Sequence, residues 1–115
     1  PRLRVLFVCA LNQWRSPTAE LLYRDDPRLH VRSAGVRPES RRRVTEGDLR
    51  WADVIFVMER EHQDRIREEF RGKKLPEIRV LDVTDAHPYM HLELQKLLYA
   101  AIDPELKELL AHRYD

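Results

Sequence analysis

The chain has 115 residues, one cysteine and a formal net charge of +1, although charged residues make up 36% of it. That length corresponds to one domain, residues 1–115, with a modest core, and the near-neutral balance makes no global case for nucleic acid. A single cysteine excludes an internal disulfide framework, no apolar run approaches membrane-spanning length, and the N-terminal residues lack a signal peptide's charged-then-apolar plan. A soluble cytoplasmic protein without a membrane partner is therefore expected.

Leu3 to Val8 reads as a strand apolar enough for the centre of a parallel sheet, and it runs directly into Cys9. Ala10, Leu11, Asn12, Gln13 and Trp14 separate Cys9 from Arg15 and Ser16. Pro17 then suits the first turn of a helix from about Ser16 to Arg24, which Asp25-Asp26-Pro27 stops. Leu29 to Ala34 is a second strand, and Gly35 opens a polar loop from Val36 to Arg43 that holds Arg41-Arg42-Arg43. This run is either a solvated surface or a basic rim that draws in anions.

A short helix is expected from Thr45 to Trp51 and a third strand from Val54 to Met58. Arg60 to Phe70 is a charged helix with Ile66 and Phe70 on one face, ended by Gly72. Glu77 to Leu81 is a fourth strand. Leu92 to Tyr99 and Pro104 to His112 read as one C-terminal helix kinked or divided near Asp103-Pro104, with Leu94, Leu97, Leu98 and Leu109 as core candidates. Strands alternating with helices predict an α/β fold: a four-stranded parallel sheet with helices on both faces, as a single-domain three-layer sandwich. Ligands of such folds bind at the carboxyl ends of the strands, where Cys9 falls.

The segment from Cys9 to Ser16 has a direct chemical use. N–H groups at a helix start lack intrahelical partners and, with the helix dipole, attract an anion. A loop wrapped around that point adds donors, and Arg15 can close it with a bidentate fork. The same surroundings favour the thiolate of Cys9, which would lie beneath a bound phosphate for in-line attack, with Ser16 donating to the sulfur as it leaves. The predicted phosphate-binding residues are thus Ala10 to Ser16.

Cys9 to Ser16, with Pro17-Thr18-Ala19-Glu20, Ser33-Ala34-Gly35, Trp51-Ala52-Asp53, Val57-Met58-Glu59 and Leu81-Asp82 ahead of Asp85, resembles the low-molecular-weight protein tyrosine phosphatase family, most of all its shorter bacterial members. The resemblance implies the phosphotyrosine protein phosphatase I-like fold, Cys9 as nucleophile, Arg15 as phosphate clamp, Ser16 as donor to the leaving thiolate, and Asn12 and Ser33 as supports of the loop. It also implies phosphorylated substrates, a phosphotyrosine protein or a small phosphomonoester, with inorganic phosphate as product and no cofactor.

Cleavage of a monoester needs an acid for the leaving oxygen, and the resemblance places it in the loop Asp82 to His91. Asp85 fits by its distance from Leu81-Asp82. His87 stands before Pro88-Tyr89, where the family carries its acid, and remains the alternative. Asp82 reads as a structural carboxylate. His87 and His91 with Asp82 and Asp85 lack a completing Cys or Glu motif, so no metal is expected.

The chain departs from the family at Trp14, where larger members carry a second cysteine, and at Gln13, where an apolar side chain often meets the substrate ring. The absence of further cysteines counts against disulfide-passing arsenate reduction. Trp14 and Tyr89 are the remaining aromatic candidates for the substrate. The alternative function is a non-catalytic module holding phosphate or a phosphorylated ligand in the same loop. RNA binding through Arg41 to Arg43 is not expected, because no stacking aromatics accompany them.

Overall fold

The computed structural model describes residues 1–113. Four parallel strands, β1 (Leu3–Cys9), β2 (Leu29–Gly35), β3 (Val54–Val57) and β4 (Glu77–Val80), form one sheet in the order β2-β1-β3-β4. The helices are α1 (Arg15–Tyr23), α2 (Glu46–Trp51), α3 (Arg60–Glu69) and α4 (Leu92–Arg113). The expected three-layer architecture holds, and outside the C-terminal helix each boundary lies within a residue or two of its sequence position.

Strand alternation divides the core in two. Leu3, Val5, Phe7 and Cys9 of β1, with Val54 and Phe56 of β3, face Ala19 and Tyr23 of α1 and the buried stripe of α4. Leu6 and Val8, with Ile55 and Val57, face Leu49 of α2 and Ile66 of α3. The middle of β1 is fully buried because it pairs with β2 on one side and β3 on the other. It thus holds its last residue, Cys9, at the point where the strand order reverses direction.

The C-terminal segment is one helix, undivided at Asp103-Pro104, and the core expectation for Leu97 is corrected. The helix is continuous from Leu92 to Arg113 with Pro104 inside it. An unbroken stripe of Leu94, Leu98, Ile102, Leu106 and Leu110, each buried, passes the proline in phase, and this burial offsets the one backbone hydrogen bond that Pro104 cannot make. Leu97 is 41% exposed, because it lies one position, about 100°, away from that stripe. Leu109 is only partly buried, packed against the same core.

Thr45 lies outside α2 as its N-cap, accepting from the Asp48 N–H while the Asp48 carboxylate accepts from the Thr45 N–H. The three arginines of the run are exposed, as a solvated surface requires, yet each also has a partner. Arg42 bonds Asp48 and the Ser33 carbonyl, and Arg43 pairs with Glu69. Arg41 alone of the three turns to the loop after β1, donating from Nε to the Asn12 carbonyl at 3.0 Å. Burial opposes the charge on Asp48, but the Arg42 guanidinium and the Thr45 hydroxyl and N–H outweigh it and hold the carboxyl below the usual range.

No helix among the described residues is long and apolar enough to cross a membrane.

Candidate active site

The loop after β1 is shaped by its carbonyls. The Cys9 carbonyl accepts from the Val36 N–H at 3.1 Å, Ala10 from the Arg37 N–H at 3.1 Å and from the Ser40 hydroxyl, and Leu11 from the Arg41 N–H at 3.0 Å. With Arg41 on Asn12, four consecutive carbonyls are drawn toward residues 36–41. In a trans peptide the next residue's N–H points the opposite way, so the N–H groups of Ala10 to Gln13 turn away from residues 36–41, and a pocket opens beside Cys9. Cys9, Ala10, Leu11, Gln13, Trp14, Arg15 and Asp85 line this pocket, which has a volume of about 110 Å³. The polar loop after Gly35 is what turns an ordinary strand end into a cradle of donors.

Asn12 is the hinge of the loop. Its φ of 56° lies in the left-handed region, which asparagine tolerates better than most residues. Fully buried, it donates from Nδ2 to the hydroxyls of Ser16 and Ser33, each at 2.9 Å. Ser33 in turn donates to Glu20 on α1. The Ser16 hydroxyl lies 3.0 Å from Cys9 Sγ and 3.2 Å from the Ala34 carbonyl. It has one proton and two acceptors, so negative charge on sulfur draws that proton to Cys9.

Arg15 is 2% exposed, the first residue of α1. Its Nη1 donates to Glu59, just past β3, and to the Val83 carbonyl at 2.8 Å. Those bonds fix the plane of the guanidinium through one nitrogen. The buried Nε has no hydrogen-bond partner, and its nearest carboxylate is Asp85 at 3.5 Å. The edge away from Nη1 is therefore the one with donors to spare, and Arg15 lines the pocket. Asp82, with φ 58°, turns the chain after β4 so that the Val83 carbonyl reaches Arg15.

The two acid candidates separate clearly. Asp85 lines the pocket beside Cys9 and Arg15, whereas His87 does not line it and stacks on His91 at 4.8 Å with 15° between the rings. The acid loop is anchored by the Met90 N–H donating to the Thr18 hydroxyl at 3.0 Å and by Gln95 donating to the Met90 carbonyl. Trp14 and Tyr89 are 41% and 49% exposed and face a neighbouring groove together with Gln13, Pro17 and Arg41. Among the described residues no group of three or more His, Cys, Asp or Glu side chains could hold a metal ion.

Sequence reasoning gave no role to Glu59, Glu20 or His62. Glu20 was legible in principle, one turn after Ser16 on the same helix face. Glu59 reaches Arg15 only because β3 lies beside β1, which spacing along the chain does not reveal. His62, three residues on, accepts the Glu59 N–H at its Nδ1. Burial, then the Arg15 charge, push its pKa down to about 4, against the carboxylates of Glu59, Glu61 and Asp85.

A buried thiol at the carboxyl end of a central parallel strand, with a buried arginine at the start of the following helix and a pocket over both, defines a three-layer α/β protein with its candidate site at a strand end. No family model and no curated protein matches the chain. Solved structures do. SP-PTP, the low molecular weight protein tyrosine phosphatase of Streptococcus pyogenes, matches with a TM-score of 0.80 at 17% identity, over 97% of this chain and 96% of that one. YfkJ of Bacillus subtilis matches at 0.72 and 22% identity over 97% of both. The YwlE arginine phosphatase of Geobacillus stearothermophilus matches at 0.67 and 25% identity, over 96% and 97%. The chain has the fold of the low molecular weight protein tyrosine phosphatases, and the likeness read from its sequence extends over nearly its whole length.

Proposed function

We propose that the chain, as one catalytic domain, hydrolyses phosphomonoesters through a cysteinyl-phosphate intermediate. The observation that carries this reading is the convergence of Cys9, the Ser16 hydroxyl, the open edge of Arg15 and Asp85 on one pocket. The Cys9 thiolate attacks phosphorus while the bond to the leaving oxygen breaks and Asp85 gives that oxygen its proton. The loop N–H groups and Arg15 hold the equatorial oxygens, whose charge grows in the transition state. Water then attacks the phosphocysteine, Asp85 takes the water's proton, and Ser16 donates to the departing sulfur.

Asp85 in the pocket supports the catalytic reading over a non-catalytic phosphate binder. Phosphorylated substrates follow from the site, and phosphotyrosine is the class we favour, because Trp14 and Tyr89 offer the neighbouring groove an aromatic lining. A lone nucleophilic thiol works in a reducing compartment, which makes the cytoplasm the proposed location.

The test is single-turnover hydrolysis of a chromogenic aryl phosphate with acid quenching. Wild type should yield trapped phosphoenzyme, Cys9→Ser none, and Asp85→Asn a rate lower by about 10²- to 10⁴-fold, with His87→Asn close to wild type. Full hydrolysis by Cys9→Ser would overturn the covalent mechanism. A large loss at His87 with none at Asp85 would exchange their roles.

A further inference from the structure

The pocket over Cys9 does not end at the loop. It shares Gln13 and Trp14 with a groove of about 350 Å³ lined also by Pro17, Arg41 and Tyr89. That groove in turn shares Pro17, Arg41 and Tyr89 with a third hollow, where Glu20, Leu21 and Arg24 join them. The three form a track from the thiol, past two exposed aromatic rings, to two arginines. Other arginines are bound to carboxylates, Arg42 and Arg32 to Asp48 and Arg43 to Glu69. Among the described residues, Arg41 and Arg24 pair with no carboxylate. Arg41 spends only Nε and its backbone N–H on the phosphate loop, which leaves its Nη groups for a ligand. Glu20, the acidic side chain of the third hollow, accepts from Ser33 and is drawn toward the buried network.

Resting on the phosphatase reading above, we infer that Arg41 and Arg24 form an anion subsite selecting substrates whose leaving group carries a second negative charge beyond the ring. The ring lies against Trp14 and Tyr89, and the second anion, a carboxylate or a further phosphate, reaches the guanidinium groups. A cationic leaving group is disfavoured at the same place by like charge. Arg41 and Arg24 are thus specificity-determining residues, placed where neither touches the reacting phosphoryl group.

The experiment compares kcat/KM for a plain aryl phosphate, for phosphotyrosine peptides flanked by acidic, neutral or basic residues, and for a small aryl bisphosphate. Exposed ion pairs of this kind support a preference of about fivefold for the acidic over the neutral peptide at low salt, falling as salt rises. Arg24→Glu should abolish or invert that preference. Arg41→Gln should reduce it while also slowing every substrate, because the bond to the Asn12 carbonyl is lost. Reading ratios separates recognition from damage to the loop. Preference for the acidic peptide, for the bisphosphate, or for both supports the subsite and identifies the source of its anion. Turnover of aryl phosphate with no charge preference, or a preference that Arg24→Glu leaves intact, overturns this inference alone. No turnover of any substrate overturns the phosphatase reading and this inference with it.

Discussion

Asn12 and Ser33, 21 positions apart, are joined by a 2.9 Å hydrogen bond from Nδ2 to Oγ, and the same nitrogen donates to Ser16. This side chain ties the loop after β1 to the end of β2, and its backbone occupies the left-handed region. Asn12→Ala removes two buried hydrogen bonds at about 1 kcal/mol each and adds about 1 kcal/mol of backbone strain. Urea unfolding should show a loss of about 3 kcal/mol. Asn12→Gly, free of the strain, should lose about 1 kcal/mol less. Equal losses would mean that the backbone conformation contributes nothing.

Gly35 ends β2 against the loop it supports. A Cβ there would stand 2.9 Å from the Asn12 backbone nitrogen and 2.8 Å from Ser40 Cβ, and it would also press on the Ser40 hydroxyl. Ser40 can yield, but the Asn12 backbone cannot move without reshaping the cradle. Gly35→Ala should fold with a modest loss of stability and bind inorganic phosphate at least tenfold more weakly by calorimetry. Unchanged phosphate affinity would show that the N–H groups of this segment do not meet the anion.

Arg15 divides its guanidinium between structure and ligand. Nη1 holds Glu59 and Val83, the opposite edge has donors to spare, and Arg15 lines the pocket. A lysine has one nitrogen and no fork, so it cannot do both. Arg15→Lys should lower kcat by about 10²- to 10³-fold, the magnitude seen when one preorganised oxyanion donor is removed. Glu59→Gln keeps an acceptor for Nη1 and should cost far less. A similar loss from both would make the Glu59 charge part of catalysis itself.

The strands were readable because their apolar runs are short and bounded, and the loop was readable because Cys9, Arg15, Ser16 and Pro17 follow one another within nine residues. The candidate acid was not fixed by spacing, since Asp85 and His87 lie two residues apart in one loop. Only its path, set by the left-handed turn at Asp82 and the Thr18 anchor, carries Asp85 into the pocket. The arginine run was ambiguous for a similar reason. Each arginine's partner, Asn12, Asp48 or Glu69, comes from a different element. The stripe of α4 was hidden by Pro104, which signals a helix end locally but is overruled by burial on either side.

His62 gives the fold a defined acid sensitivity. Packed beneath Glu59, it is neutral and accepts the Glu59 N–H, and its pKa stands near 4 against the ordinary 6.5. Burial is the chief cause, the Arg15 charge adds to it, and Glu59, Glu61 and Asp85 oppose both. Between those two pH values the unfolded chain takes up a proton at this position and the folded chain does not, so the unfolded state is favoured as pH falls. Above about 6.5 the histidine adds no pH dependence. From there down to about 4 it should withdraw about 3 kcal/mol, and below that the loss levels off. The check is urea unfolding across this range for wild type and His62→Gln, in which the other titrating groups are shared and cancel. The difference in stability between the two should shrink or reverse on acidification. Parallel curves would mean that His62 accepts its proton in place, with the Glu59 cap and the Arg15 anchor intact.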